Sequence, residues 1–181
     1  MFELRIHGRG GQGAVVASKI LANAMFLEGK YVQSFPMFGV ERRGAPVQAF
    51  LRADDKPIRI RCQVYTPNHI IVLDPTLINV VDVTKGLKKS GWIIINSSHD
   101  ASDFKFKGYK VATIDANKIA VSLGLGSKTA PIVNTAILGA FSKITGLISI
   151  ESILKSVSEE VPIKVQLNKQ AVQEAYDQVR Q

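Results

Sequence analysis

The opening of the chain constrains its fold most. From Phe2 to His7, apolar Phe2, Leu4 and Ile6 alternate with Glu3, Arg5 and His7, the period-two pattern of a strand. Gly8-Arg9-Gly10-Gly11-Gln12-Gly13 follows. Ala14 to Leu27 then reads as a helix, with Val16, Ile20, Ala24 and Leu27 on one face and Gly29 as its stop. A strand that turns through glycines straight into a helix opens a βα unit, and such units build sheets with helices packed against them.

The rest of the chain agrees with that start. Tyr31 to Phe35 reads as a short second strand, and Pro36 to Pro46 as a loop carrying Glu41-Arg42-Arg43-Gly44. Two alternating runs, Val47 to Ala53 and Ile58 to Cys62, are joined by Asp54-Asp55-Lys56-Pro57 and read as a hairpin or paired edge ribbon. Three continuous apolar runs come next, His69 to Leu73, Trp92 to Ile95 and Val111 to Ile114, each ending in a polar residue: Asp74, Asn96 and Asp115. Runs of this kind belong to parallel strands covered on both faces. The C-terminal part is helical. One helix starts near Pro131 and closes at Gly146, a shorter one spans Ile150 to Val157, and the last starts near Lys169, with Asn168 as N-cap and Leu167 and Val172 as a hydrophobic staple. The expectation is a three-layer α/β domain, mostly parallel, with an antiparallel ribbon.

At 181 residues the chain is expected to form one domain over residues 1–181. The 46% hydrophobic content fits a folded protein. No run of 18 or more apolar residues occurs, and Met1-Phe2-Glu3-Leu4-Arg5 lacks the pattern of a secretory signal. A cytoplasmic protein with no membrane partner is expected. The single cysteine, Cys62, excludes an internal disulfide, an all-cysteine zinc site and a self-contained iron–sulfur cluster. It reads as a small, half-buried hydrophobe. The net charge of +8 favours acidic partners or phosphorylated ligands. Lysines such as Lys85, Lys88, Lys89, Lys105, Lys107 and Lys110 are scattered as on a solvated surface, and no nucleic-acid-binding motif accompanies them, so no nucleic-acid partner is expected.

Gly8-x-Gly10-x-x-Gly13 has the spacing of a dinucleotide-binding turn, in which amides at a helix N-terminus face a phosphate. The acid that such a site places on a ribose, at the end of the second strand, is missing: that strand ends Gln33-Ser34-Phe35. NAD binding is therefore not expected. A tight turn without a ligand remains open beside binding of phosphate, diphosphate or a partner's backbone. In the second loop Arg42 and Arg43 have the chemistry for bidentate capture of phosphate or carboxylate, unless Arg42 pairs with Glu41 and only shapes the loop. The candidate binding residues are Gly8, Gly10, Gly11, Gln12, Gly13, Arg42 and Arg43, with a phosphate or diphosphate compound as ligand. His7, His69 and His99 show no metal-ligand spacing and read as structural or surface histidines, while Asp74 and Asp115 stand where they can cap the next helix. No catalytic or metal-ligating residues are assigned.

Two stretches taken together resemble a known family. Arg5-Ile6-His7-Gly8-Arg9-Gly10-Gly11-Gln12-Gly13-Ala14-Val15 and Phe35-Pro36-Met37-Phe38-Gly39-Val40-Glu41-Arg42-Arg43-Gly44-Ala45-Pro46-Val47 are similar to the gamma subunit of 2-oxoacid:ferredoxin oxidoreductases, among them pyruvate synthase (pyruvate:ferredoxin oxidoreductase). Asn134-Thr135-Ala136-Ile137-Leu138-Gly139-Ala140 resembles the family's later helix motif, and the likeness runs from about Phe2 to Gln181. The resemblance implies a single Rossmann-like domain in a hetero-oligomer that oxidises a 2-oxoacid such as pyruvate to acyl-CoA and CO2 and reduces ferredoxin. It implies alpha, beta and delta partner subunits, with thiamine diphosphate, Mg and iron–sulfur clusters in those partners and none on this chain. The chain is then inactive alone, with a role in assembly and in coenzyme A (CoA) access. Met37, Phe38 and Val40 are the expected partner contacts, unless they tuck into this domain's own core. Two other readings stay open: an NADP-dependent reductase in which Arg42 and Arg43 take the 2′-phosphate, and a purely structural assembly module.

Overall fold

The computed structural model describes residues 1–37 and 42–181. One sheet holds β1 (Phe2–Arg9), β2 (Tyr31–Pro36), β3 (Pro46–Asp54), β4 (His69–Val72), β5 (Trp92–Asn96) and β6 (Lys110–Ile114). Its spatial order is β2-β3-β1-β4-β5-β6. β1, β4, β5 and β6 run parallel, β3 lies antiparallel to β1, and β2 antiparallel to β3. The helices are α1 (Ala14–Leu27), α2 (Ala116–Ser122), α3 (Ala136–Thr145), α4 (Ile150–Glu160) and α5 (Val165–Gln178). A small ribbon pairs β7 (Gly126–Ser127) with β8 (Ala130–Pro131).

The alternation read in β1 divides the molecule into layers. Leu4 and Ile6 face the main core, which joins residues of all five helices to Leu51 of β3, Ile71 of β4, Ile94 of β5 and Ile114 of β6. The other sheet face carries Ile70, Val72, Ile93 and Ile95 under Val83, Leu87 and the flanking Phe104 and Phe106. That third layer is made of loops and 3₁₀ turns (Pro75–Asn79, Ala101–Asp103). The apolar runs in β4, β5 and β6 follow from this arrangement, because both faces of those strands are covered.

Several local expectations are corrected. Ile58 to Cys62 forms no strand. β3 already pairs with β1 on one side and β2 on the other, so the following segment cannot form a hairpin with β3. Cys62 is exposed, not half-buried. In α1 Val16 is exposed, and the buried arc centres on Ala14, Ala17, Ser18, Leu21 and Met25 with Ile20 and Ala24. Small residues on that arc let the helix lie close to the sheet. Pro131 belongs to β8 and α3 begins at Ala136, while α4 continues to Glu160. Asn168 lies inside α5 instead of capping it: Thr135 Oγ1 donates to Asn168 Oδ1 at 2.7 Å, and Asn168 Nδ2 donates to the Lys164 carbonyl at 3.1 Å. A buried amide that ties two helices together has the same residue type as a cap. Asp74 and Asp115 do cap, accepting from the amides of Thr76 at 2.9 Å and Lys118 at 2.8 Å. Among the described residues no helix is long and apolar enough to cross a membrane.

Candidate functional site

The glycine turn leaves the carboxyl end of β1 and is held by its own chain. Arg9 N–H donates to Gln12 Oε1 at 2.7 Å, and Gln12 N–H donates to the Arg9 carbonyl at 2.9 Å. The arginine loop completes the brace: Gly10 N–H donates to Ala45 at 2.9 Å and Gly44 N–H to Gly10 at 3.0 Å. A side chain at Gly10 would strike the Arg42 carbonyl, so the approach of the two loops requires glycine there. Gly11 and Gly13 have φ of +95° and +79°. The amides of Arg9, Gly10 and Gln12 are thereby spent within the protein. Those of Gly11, Gly13, Ala14, Val15 and Val16 have no protein partner among the described residues, as an anion site at a helix N-terminus needs.

Arg9, which sequence reasoning passed over, fixes the turn in space. Its guanidinium donates to Asp74 Oδ2 at 2.7 Å, the Gly44 carbonyl at 3.0 Å and Thr76 Oγ1 at 2.8 Å. Burial raises the Asp74 carboxyl pKa, but the Thr76 hydroxyl and amide and Arg9 outweigh it and hold the group below its usual value. Arg9 is thus neutralised by Asp74, whereas Arg43 stands exposed on the rim of the same cleft.

That cleft, about 350 Å³, is bounded by the glycine turn, Arg43, Gly44 and the segment from Thr129 to Asn134. It joins a wider trough of about 740 Å³ over the carboxyl ends of β4, β5 and β6 through Gln12, Asn117, Thr129 and Pro131, where parallel α/β sheets place ligands. Asn134 is 6% exposed, its Nδ2 reaches the Gly13 carbonyl at 3.4 Å, and its Oδ1 has no hydrogen-bond partner. A buried acceptor left open beside a cleft costs free energy unless something donates to it. Asn134 was visible only as part of a motif, with nothing in its sequence position to show that the segment leading into α3 would pack against Gly13.

The structure therefore brings Gly10, Gly11, Gln12, Gly13 and Arg43 together around one cleft. Gly8 lies just before it, packed on Leu73 and Ala14. Arg42 is exposed and meets the site through its backbone, and pairing with Glu41 lies outside the described residues. Met37 is 46% exposed, while Phe38 and Val40 lie outside the described residues. His7 is buried in β1, where burial and then Arg5 push its pKa down to about 3. It stays neutral and away from the cleft.

The family description pyruvate ferredoxin/flavodoxin oxidoreductase matches residues 3–178. The chain belongs to that family. Among relatives of the pyruvate ferredoxin/flavodoxin oxidoreductase family, it is 53% identical to pyruvate synthase subunit PorC of Methanothermobacter thermautotrophicus over 180 residues, covering 99% of this chain and 96% of the relative. It is likewise 53% identical over 183 residues, with 98% and 96% covered, to the common subunit gamma of pyruvate/ketoisovalerate oxidoreductases of Pyrococcus furiosus. The crystal structure of pyruvate oxidoreductase subunit PORC of Thermotoga maritima superimposes with a TM-score of 0.84 at 35% identity, over 99% of this chain and 97% of that one. A more distant structure, 2-oxoglutarate:ferredoxin oxidoreductase from Magnetococcus marinus with 2-oxoglutarate, coenzyme A and succinyl-CoA bound, shares the fold. Its TM-score is 0.75 at 20% identity, over 97% of this chain and 30% of that one. The gamma-subunit resemblance of the sequence thus extends over the whole chain, and the NADP-reductase reading finds no support among these relatives.

Proposed function

We propose that this chain is the gamma subunit of a pyruvate-oxidising 2-oxoacid:ferredoxin oxidoreductase, and that its glycine-turn cleft receives the phosphate groups of CoA. The observation that carries the cleft assignment is a convergence. Uncommitted amides at Gly11, Gly13 and the start of α1 and the guanidinium of Arg43 all border one cleft, against which the buried Asn134 packs. The diphosphate of CoA suits the amides, and its 3′-phosphate suits a bidentate arginine.

The remaining chemistry belongs to other subunits. A chain with the single cysteine Cys62 does not hold a four-cysteine cluster, and thiamine diphosphate with Mg is assigned to alpha and beta, iron–sulfur clusters to delta or beta, and the exit of electrons to ferredoxin. The name of the Pyrococcus relative, a subunit common to pyruvate and ketoisovalerate oxidoreductases, supports leaving the choice of 2-oxoacid to the partner chains. Titration calorimetry of the assembled complex tests the cleft. CoA should bind at least ten-fold more tightly than pantetheine, which lacks the phosphates. Equal affinities would remove the cleft from CoA recognition.

A further inference from the structure

The two edges of the sheet are treated differently. At β6 the C-terminal segment closes the edge: Thr113 N–H donates to the Arg180 carbonyl at 2.8 Å and Arg180 N–H to the Thr113 carbonyl at 2.9 Å. β2, at the other edge, pairs only with β3 among the described residues. The Met37 amide donates to the Gln48 carbonyl at 2.8 Å, which sets the alternation of the antiparallel ladder. Residues 31, 33 and 35 turn their backbone groups towards β3, and Val32, Ser34 and Pro36 turn theirs outwards. Two amides and three carbonyls are therefore presented at that edge, because Pro36 has no N–H. An uncovered edge of this kind invites pairing with another chain.

Beside the edge lies a groove of about 660 Å³. Phe35 and Phe50, whose ring centroids are 5.4 Å apart, line it with Met37, and Ile60 to Gln63 form its far wall. That wall is anchored from below. The buried Arg52 is paired with Glu3 at 2.9 Å and donates to the carbonyls of Cys62 at 2.8 Å and Gln63 at 3.1 Å. Gln33 Nε2 holds the Ile58 carbonyl at 3.2 Å. Arg52 spends its charge beneath the segment, while Arg59, Ile60 and Arg61 above it are exposed.

We propose that this groove docks an extended, acidic segment of a partner subunit, which adds to β2 as a seventh strand. The proposal rests on the reading of the chain as a subunit of a larger complex. Backbone groups of Val32, Ser34 and Pro36 pair with the incoming segment, its apolar side chains meet Phe35, Met37 and Ile60, and its carboxylates meet Arg59 and Arg61. A six-residue strand spans about 20 Å, enough for a recognition segment of the same length. The arginines select an acidic occupant over a second copy of this chain, whose own groove wall is basic.

Hydrogen exchange of residues 31–37 and maleimide labelling of Cys62, each read by mass spectrometry in the isolated chain and in the purified complex, test the proposal. Slower exchange of the Val32 and Ser34 amides and at least ten-fold slower Cys62 labelling in the complex are expected. The exposed double substitution Arg59→Glu with Arg61→Glu should leave the isolated chain folded and weaken its assembly at least ten-fold. If the wild-type chain co-purifies with its partners while exchange and labelling stay unchanged, the groove is not the docking surface, although the subunit reading stands. Failure to co-purify at all would overturn both. Protection of the same residues in a dimer of the isolated chain would assign the groove to a second copy and overturn the partner segment.

Discussion

Gly13 and Asn134, 121 residues apart, are in contact: Asn134 Nδ2 reaches the Gly13 carbonyl at 3.4 Å, and a β-carbon on Gly13 would overlap the Asn134 amide. The start of α1 and the segment leading into α3 are thereby fitted to each other at the cleft. Gly13→Ala therefore faces a collision as well as a φ of +79°, and the backbone term alone is worth about 1–2 kcal/mol. Asn134→Ala makes room for the methyl group. Urea unfolding of both single variants and the double variant should show the double to be less destabilised than the sum, by about 0.5 kcal/mol or more. Strict additivity would mean that the two residues do not touch.

A buried histidine, His7, and a half-buried one, His69, give the fold an acid sensitivity. Burial, then Arg5, lowers the pKa of His7 to about 3, and burial, then Lys110, lowers that of His69 to about 4. His69 Nδ1 also accepts from the Trp92 amide at 3.0 Å, a bond that protonation would break. Below the ordinary value of about 6.5 the unfolded chain takes up protons that the folded chain refuses. Stability is thus fully present above that value and is lost as pH falls towards 4 and then 3. His7 alone should remove about 1 kcal/mol between pH 7 and 5.5, with a smaller share from the less buried His69. Urea unfolding at the two pH values checks this, and His7→Leu should flatten the dependence. An unchanged slope in that variant would place the sensitivity elsewhere.

Gly139 of α3 lies directly against the backbone of α5, where an added β-carbon would strike the Val172 carbonyl and crowd the Tyr176 amide. Neither obstacle is a flexible side chain, so α5 has to move. Gly139→Ala should cost about 2–3 kcal/mol and lower the unfolding midpoint in urea. A neutral effect would mean that the helices are not in contact there.

The isolated chain should be colourless and should not reduce a dye with pyruvate, CoA and thiamine diphosphate, since its single Cys62 cannot hold a four-cysteine cluster. Visible charge-transfer absorption or turnover by the pure subunit would contradict the division of labour among the subunits.

What was legible in the sequence followed the strength of each local signal. β1, its glycine turn and α1 could be read because a period of two, four glycines and a helical stretch agree with one another. The Ile58 to Cys62 run alternates as well as β3 does, yet alternation records only which side chains face inwards, and the ladder it would have joined is filled by β2 and β1. Arg9 was hidden because its partners, Asp74 and Thr76, lie more than 60 residues away. The same distance effect hid the orphaned oxygen of Asn134, which appears only when α3 is set against α1. The pairing of the glycine turn with the arginine loop was readable as a neighbourhood. That Arg43 and not Arg42 borders the cleft depended on the backbone hydrogen bonds of Gly10.

The most direct measurement of the central claim is the CoA dependence of the reconstituted complex carrying Arg43→Ala. A hydrogen bond to a charged group is worth roughly 1.5–3 kcal/mol, so losing one should raise the Michaelis constant for CoA about ten-fold or more. The constant for the 2-oxoacid should hardly change, and Arg42→Ala, outside the cleft lining, should have the smaller effect. An intact Arg43→Ala complex whose CoA dependence matches that of the wild type would contradict the assignment of the cleft.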